Sequence, residues 1–250
     1  MSNPRKLLQL IKDNARPKGS PPAIRSEAAA DGPVHIYVHD VIDPWWGANA
    51  ADLIKALAGA TGRDVLLHIN SPGGDVFESL AMASAIAAHD GKVTALIDGM
   101  AASAATRLAL ACAEVQMVDG GLFMIHNAWT MAWGNANELR DTATLLDKVD
   151  SGIVGDYQRK TGATAEKVTE WMAAETWFTA AEAKDAGFVD EVLTASQAAP
   201  ANAAWNLAAY RNAPKPPAPS APDAAAIAAQ AGRTQRLNRS RLAALLLTEP

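Results

Sequence analysis

Between residues 34 and 190, short apolar runs alternate with longer stretches of helical spacing. Val34-His35-Ile36-Tyr37-Val38 alternates apolar and polar positions with period two and predicts a half-buried strand. Val65-Leu66-Leu67-His68-Ile69 is nearly all apolar, as expected of a strand covered on both faces. Lys92–Ile97, Glu114–Val118 and Leu122–Ile125 predict three more strands. Helices are expected over 50–58, capped by Asn49, and over 76–89, 102–111, 135–160, 165–172 and 180–186, the last closed by Gly187. The longest carries Leu139, Leu146, Val149, Ile153 and Tyr157 at helical spacing. Repeated strand–helix units of this kind predict an α/β fold with a mostly parallel sheet and helices outside it.

The flanks read differently. Residues 1–32 are expected to be a flexible basic lead-in: a short helical candidate at Lys6–Ile11, then Pro17, Gly19, Pro21 and Pro22. The folded domain is expected over 33–197. A Pro/Ala-rich linker follows over 198–226, and a basic helix over 227–250 with Arg233, Arg236, Arg239 and Arg241 on one face. Residues 1–30 carry six Lys or Arg against two Asp or Glu, residues 31–200 ten against 23, and residues 201–250 six against two. An acidic body thus carries two basic tails, which suit docking to an acidic partner. No apolar run reaches the roughly 18 residues of a membrane span, and the start of the chain is not expected to be a signal peptide. Roughly a fifth of the residues are alanine, well above average usage. The single cysteine, Cys112, excludes an internal disulfide framework and is expected to be a buried, inert thiol.

Candidate chemistry gathers at two turns that follow apolar strands and open helices. In a parallel sheet such strand ends line one crevice. The first is Ser71-Pro72-Gly73-Gly74, where paired glycines let backbone N–H groups point outward. The second, Asp98-Gly99-Met100-Ala101-Ala102-Ser103-Ala104-Ala105, sets Ser103 among small residues that leave room for a substrate carbonyl. Of five histidines, His35, His39, His68 and His89 read as structural. His126 differs: it ends the apolar run 122–125, where a catalytic base belongs. No histidine pair has metal spacing and no phosphate-loop lysine follows the glycine pair, so no metal site and no nucleotide enzyme is expected.

Together these stretches resemble the ClpP family of serine peptidases. The resemblance rests on Ile69-Asn70-Ser71-Pro72-Gly73-Gly74, Gly99-Met100-Ala101-Ala102-Ser103, Met124-Ile125-His126, Thr161-Gly162 and Trp177-Phe178-Thr179-Ala180-Ala181-Glu182-Ala183 with Gly187. It implies a ClpP/crotonase-like fold with a long protruding helix. It also implies Ser103 as nucleophile, His126 as general base, and Gly73, Gly74 and Ala104 N–H groups as the oxyanion hole. The family's aspartate falls on Trp171 by ungapped counting, so a local shift to Glu175, with Glu170 as the alternative, or a Ser–His dyad, is expected. Glu175-Thr176-Trp177 and the tails look most like the phage and prophage head-maturation branch. That branch implies capsid or scaffold substrates, a ring-like homo-oligomer, an ATP-dependent unfoldase as a further partner, no cofactor, and a cytoplasmic or prohead location. Neither a membrane nor a nucleic-acid partner is expected. The rival readings are an acyl-CoA enzyme of the same fold and a non-catalytic capsid assembly protein.

Overall fold

The computed structural model describes residues 10, 12–14, 22–28, 32–194 and 205–214. Its elements run β1 (Ile24–Ala28), β2 (Val34–Val38), α1 (Ala50–Ala58), β3 (Val65–Ser71), α2 (Val76–Ala87), β4 (Val93–Ala102), α3 (Ala104–Leu110), β5 (Glu114–Val118), β6 (Leu122–Ile125), α4 (Ala136–Thr161), α5 (Ala165–Ala174), β7 (Thr176–Thr179), α6 (Ala180–Asp185) and β8 (Glu191–Leu193). The sheet order is β1-β2-β3-β4-β5-β8, and every neighbour pair is parallel except β1 with β2. This is the expected α/β architecture.

One strand decides where the site lies. β4 is ten residues long. Its first half, Thr94–Ile97, pairs with β5, and its second half, Met100–Ala102, pairs with β6. The sheet therefore forks at β4, and the chain leaves the fork at Ser103. Pairing with β6 keeps Met100–Ala102 extended, so α3 begins at Ala104 rather than at residue 102. β7 runs antiparallel to β6 and completes the branch.

The branch is anchored by aromatic packing. Phe123 of β6 and Phe188 are both fully buried, with ring centroids 4.9 Å apart. Tyr157 of α4, Trp171 of α5 and Phe178 of β7 close around Phe188. The Thr106 hydroxyl meets the Tyr157 hydroxyl at 2.7 Å, and Arg107 grips Asp156 with two nitrogens, so α3 is clamped to α4. Cys112 is buried, and burial pushes its thiol pKa up.

The polar positions of β2, β3 and β4 form a network on one sheet face. Asp98 is buried and accepts from His39 Nε2 (2.9 Å) and His68 Nδ1 (3.0 Å), while His68 Nε2 meets His35 Nδ1 at 2.9 Å. Burial alone would raise the Asp98 pKa, but the hydrogen bonds from both imidazoles hold it below the usual carboxylate range. His89 meets the Arg63 carbonyl at 2.9 Å.

Two expectations, for the lead-in and for the linker, need correction. The lead-in contains β1, which pairs with β2 through Ile24–Ala28; only Ile24 of that strand is buried, so its apolar signal is a single residue. Leu10 is also buried. Within the expected linker, residues 205–213 pack on the core, with Ala209 and Tyr210 buried. On α4, Tyr157 is the buried residue of the apolar stripe, and Leu139 of the stripe and the neighbouring Leu145 are exposed. The candidate helix at 6–11, save Leu10, and the basic helix at 227–250 lie outside the described residues. No helix among the described residues is long and apolar enough to cross a membrane.

Candidate active site

Ser103 stands where β4 stops and α3 starts, with φ 53° and ψ −124°. A non-glycine residue in this region is strained and needs its surroundings to hold it. Here the Ser103 N–H donates to the Met124 carbonyl of β6 (2.8 Å), and its own carbonyl accepts from Thr106 N–H (3.0 Å). The forked sheet thus fixes the turn from both sides.

His126 follows β6 directly. Its Nε2 lies 2.7 Å from Ser103 Oγ. Enclosure of the ring lowers its pKa to about 4, against an upward pull from the Glu175 charge. The segment beyond it is tied to α4, because Asp150 accepts from Asn127 Nδ2 (2.6 Å) and from Ala128 N–H (2.7 Å).

The glycine turn packs on the serine turn. Gly73 has φ +90°, and a Cβ there would lie 2.5 Å from the Ala102 carbonyl oxygen and 2.9 Å from Ser103 Cβ. Only glycine permits that approach. The Gly73 N–H donates to Ser71 Oγ (3.1 Å). Ile42 bonds to the Gly73 carbonyl and to Asp75 N–H in a parallel bridge, which turns the N–H of Gly74 to the opposite side. Gly74 and Ala104, with Ser103 and His126, line a cavity of about 390 Å³ that continues past Phe77, Trp133 and Ile153.

The two acidic candidates part company. Glu175 caps α5 in a left-handed conformation (φ 53°) and is 5% exposed. Its carboxylate accepts from Asn212 N–H (2.6 Å) and Arg211 N–H (3.1 Å), and it influences His126 through charge. Glu170 is exposed and paired with Lys167 at 2.9 Å on the outside of α5; it does not reach the site. Trp171 is given to the aromatic core instead. Among the described residues no group of three His, Cys, Asp or Glu is arranged to hold a metal.

Two contributors escape sequence reasoning. Asp150 gives no signal on a helix with many acids. Tyr210 lies in a segment dominated by proline and alanine, and its one signal is the aliphatic–aromatic density of Trp205, Leu207 and Tyr210.

The Clp protease family model matches residues 36–196, more than half of the chain. The chain belongs to the Clp protease family. Among Clp relatives, an ATP-dependent Clp protease proteolytic subunit of Bacteroides fragilis is 32% identical over 134 residues, covering 53% of this chain and 65% of the relative. The chain thus spans just under two thirds of that relative's length. Proteolytic subunit 1 of Chlamydia abortus is 31% identical over 185 residues, covering 66% of this chain and 96% of the relative. A ClpP1 mutant structure from Listeria monocytogenes superposes with a TM-score of 0.56 at 21% identity, over 65% of this chain and 92% of that one. That likeness speaks for the Clp fold.

Proposed function

We propose that the chain is a serine endopeptidase acting through an acyl-enzyme, with Ser103 as nucleophile and His126 as general base. The observation that carries this is the 2.7 Å contact between Ser103 Oγ and His126 Nε2 at a strained turn. A serine hydroxyl is a weak nucleophile at its own pKa and needs such a base. His126 takes the proton as Oγ attacks the scissile carbonyl. The oxyanion then forms between the N–H groups of Gly74 and Ala104, with Gly73 allowing the two turns to meet. Loss of one such donor typically costs about 3 kcal/mol in the barrier. His126 next protonates the leaving amine, and the same cycle run with water releases the acyl group. Glu175 is the third member, acting on the imidazolium by charge.

The finer reading is processing of capsid or scaffold proteins during phage head maturation. Glu175-Thr176-Trp177 and the two basic tails on an acidic body support it. A ring-like homo-oligomer is supported by Leu139, Leu145 and Trp133, which stand exposed on and beside α4 and invite a second copy. The test is labelling by a serine-directed fluorophosphonate, together with co-expression with a capsid-type substrate, wild type against Ser103→Ala. Labelling and cleavage that both vanish in the variant support the reading. A labelled Ser103→Ala chain removes the nucleophile assignment. A substrate that matures equally well with Ser103→Ala favours the assembly-protein reading.

A further inference from the structure

Residues 205–213 pack beside the cavity that Ser103 and His126 line, and Tyr210 forms part of its wall. Tyr210 is buried, its ring stands edge-on to His126 with centroids 5.5 Å apart, and its hydroxyl donates to the Pro72 carbonyl within the glycine turn. Trp205 Nε1 donates to Asn70 Oδ1 (3.0 Å) at the start of that turn. Past Tyr210, the N–H groups of Arg211 and Asn212 take up the Glu175 carboxylate, and Asn212 Nδ2 donates to the Ala174 carbonyl (2.7 Å). The N-terminal segment braces the arrangement: Asn206 exchanges hydrogen bonds with Asn14 and donates to Asp13, and Leu10 packs in one cluster with Met100, Met124 and Tyr210.

We propose that residues 205–213 are an inhibitory strap, which narrows the cavity beside Ser103 with Tyr210 and keeps the Glu175 carboxylate from direct contact with His126 until it is displaced. The proposal rests on Ser103 being the nucleophile. Tyr210 forms part of the wall of the cavity that Ser103 and His126 line, so a peptide entering that cavity meets its ring. The same displacement that admits a peptide frees Glu175, so opening and completion of the site are one event.

A site open only part of the time reacts in proportion to its open fraction; opening from about a tenth of the molecules to nearly all raises reactivity roughly tenfold. The test is the rate of fluorophosphonate labelling in the full chain, measured for wild type, Tyr210→Ala and Asn206→Asp, with Ser103→Ala as control and the thermal midpoint followed for each. Tyr210→Ala removes the obstruction. Asn206→Asp sets a carboxylate against Asp13 and loosens the strap without touching the core, which guards against a folding defect in the first variant. The expected result is labelling several-fold faster than wild type in both. Equal or slower labelling in the variants that stay folded overturns the strap and makes the segment a support for Glu175. Labelling absent from every chain, wild type included, instead overturns the nucleophile and the strap with it.

Discussion

The Asp150 carboxylate accepts the backbone N–H of Ala128 at 2.7 Å, two residues beyond His126. With the Asn127 amide on its other oxygen, it ties the middle of the longest helix to the segment that aims the imidazole. Asp150→Ala should therefore lower kcat roughly 10- to 100-fold, the range expected when a reacting group is displaced by about an ångström. KM should stay near wild type, because Asp150 makes no contact with the glycine turn. Asp150→Asn, which keeps one acceptor for Ala128, should recover part of the loss. A fall in KM-governed steps alone would make Asp150 merely structural.

Ser103 carries its strain whether or not the site reacts. Its φ of 53° suits glycine, and strain of this kind costs on the order of 1–3 kcal/mol. Ser103→Ala should abolish turnover while unfolding near the wild-type midpoint, since one oxygen is lost and the backbone is unchanged. Ser103→Gly should be equally inactive yet more stable than Ser103→Ala by about 1 kcal/mol. Denaturant midpoints of the two variants check this, and equal midpoints would mean the turn is not strained.

His126→Ala should lose activity by a factor close to that of Ser103→Ala, and the double variant should be little worse than either, because nucleophile and base act as one unit. Strictly additive losses in kcat/KM would assign the two residues to separate steps.

Much of this was legible because the signals are local. Alternation at Val34–Val38, the cap at Asn49 and the glycine at 187 each fix one element without reference to the rest. Ser103 and His126 were legible for a related reason: both end apolar strand runs, and the ends of parallel strands share an edge. What was not legible depends on packing between distant segments. β1 presents one buried residue, Ile24, and exists as a strand only because β2 offers its edge. Tyr210 lies among alanines and prolines, and nothing local says that it sits on Pro72 and against His126. The choice between Glu170 and Glu175 likewise turned on the left-handed cap at Glu175, which rotates one carboxylate inward while Glu170 stays with Lys167.

Two pH windows should separate in the stability of the protein. His126 has its folded pKa lowered to about 4 by enclosure, below the ordinary imidazole value of about 6.5. The unfolded chain therefore takes up that proton first, and stability present above pH 6.5 should be lost as the pH falls toward 4. Asp98 has its folded pKa held down by His39 and His68, after burial has pushed the other way. Its contribution is fully present above the unfolded value of about 3.9 and is lost as the pH falls below it. Thermal midpoints from pH 7 to pH 3 should thus show two declines. His126→Ala should flatten the upper one alone. Asp98→Asn should lower stability at pH 7, because buried ring N–H groups lose a charged acceptor, and should flatten the lower decline alone. Removing one partner of a buried charged group typically costs about 3–5 kcal/mol, and Asn, still an acceptor, should fall below that range. A lower decline that survives in Asp98→Asn would assign acid sensitivity to other carboxylates, and an upper decline that survives in His126→Ala would mean that the enclosed imidazole does not govern it.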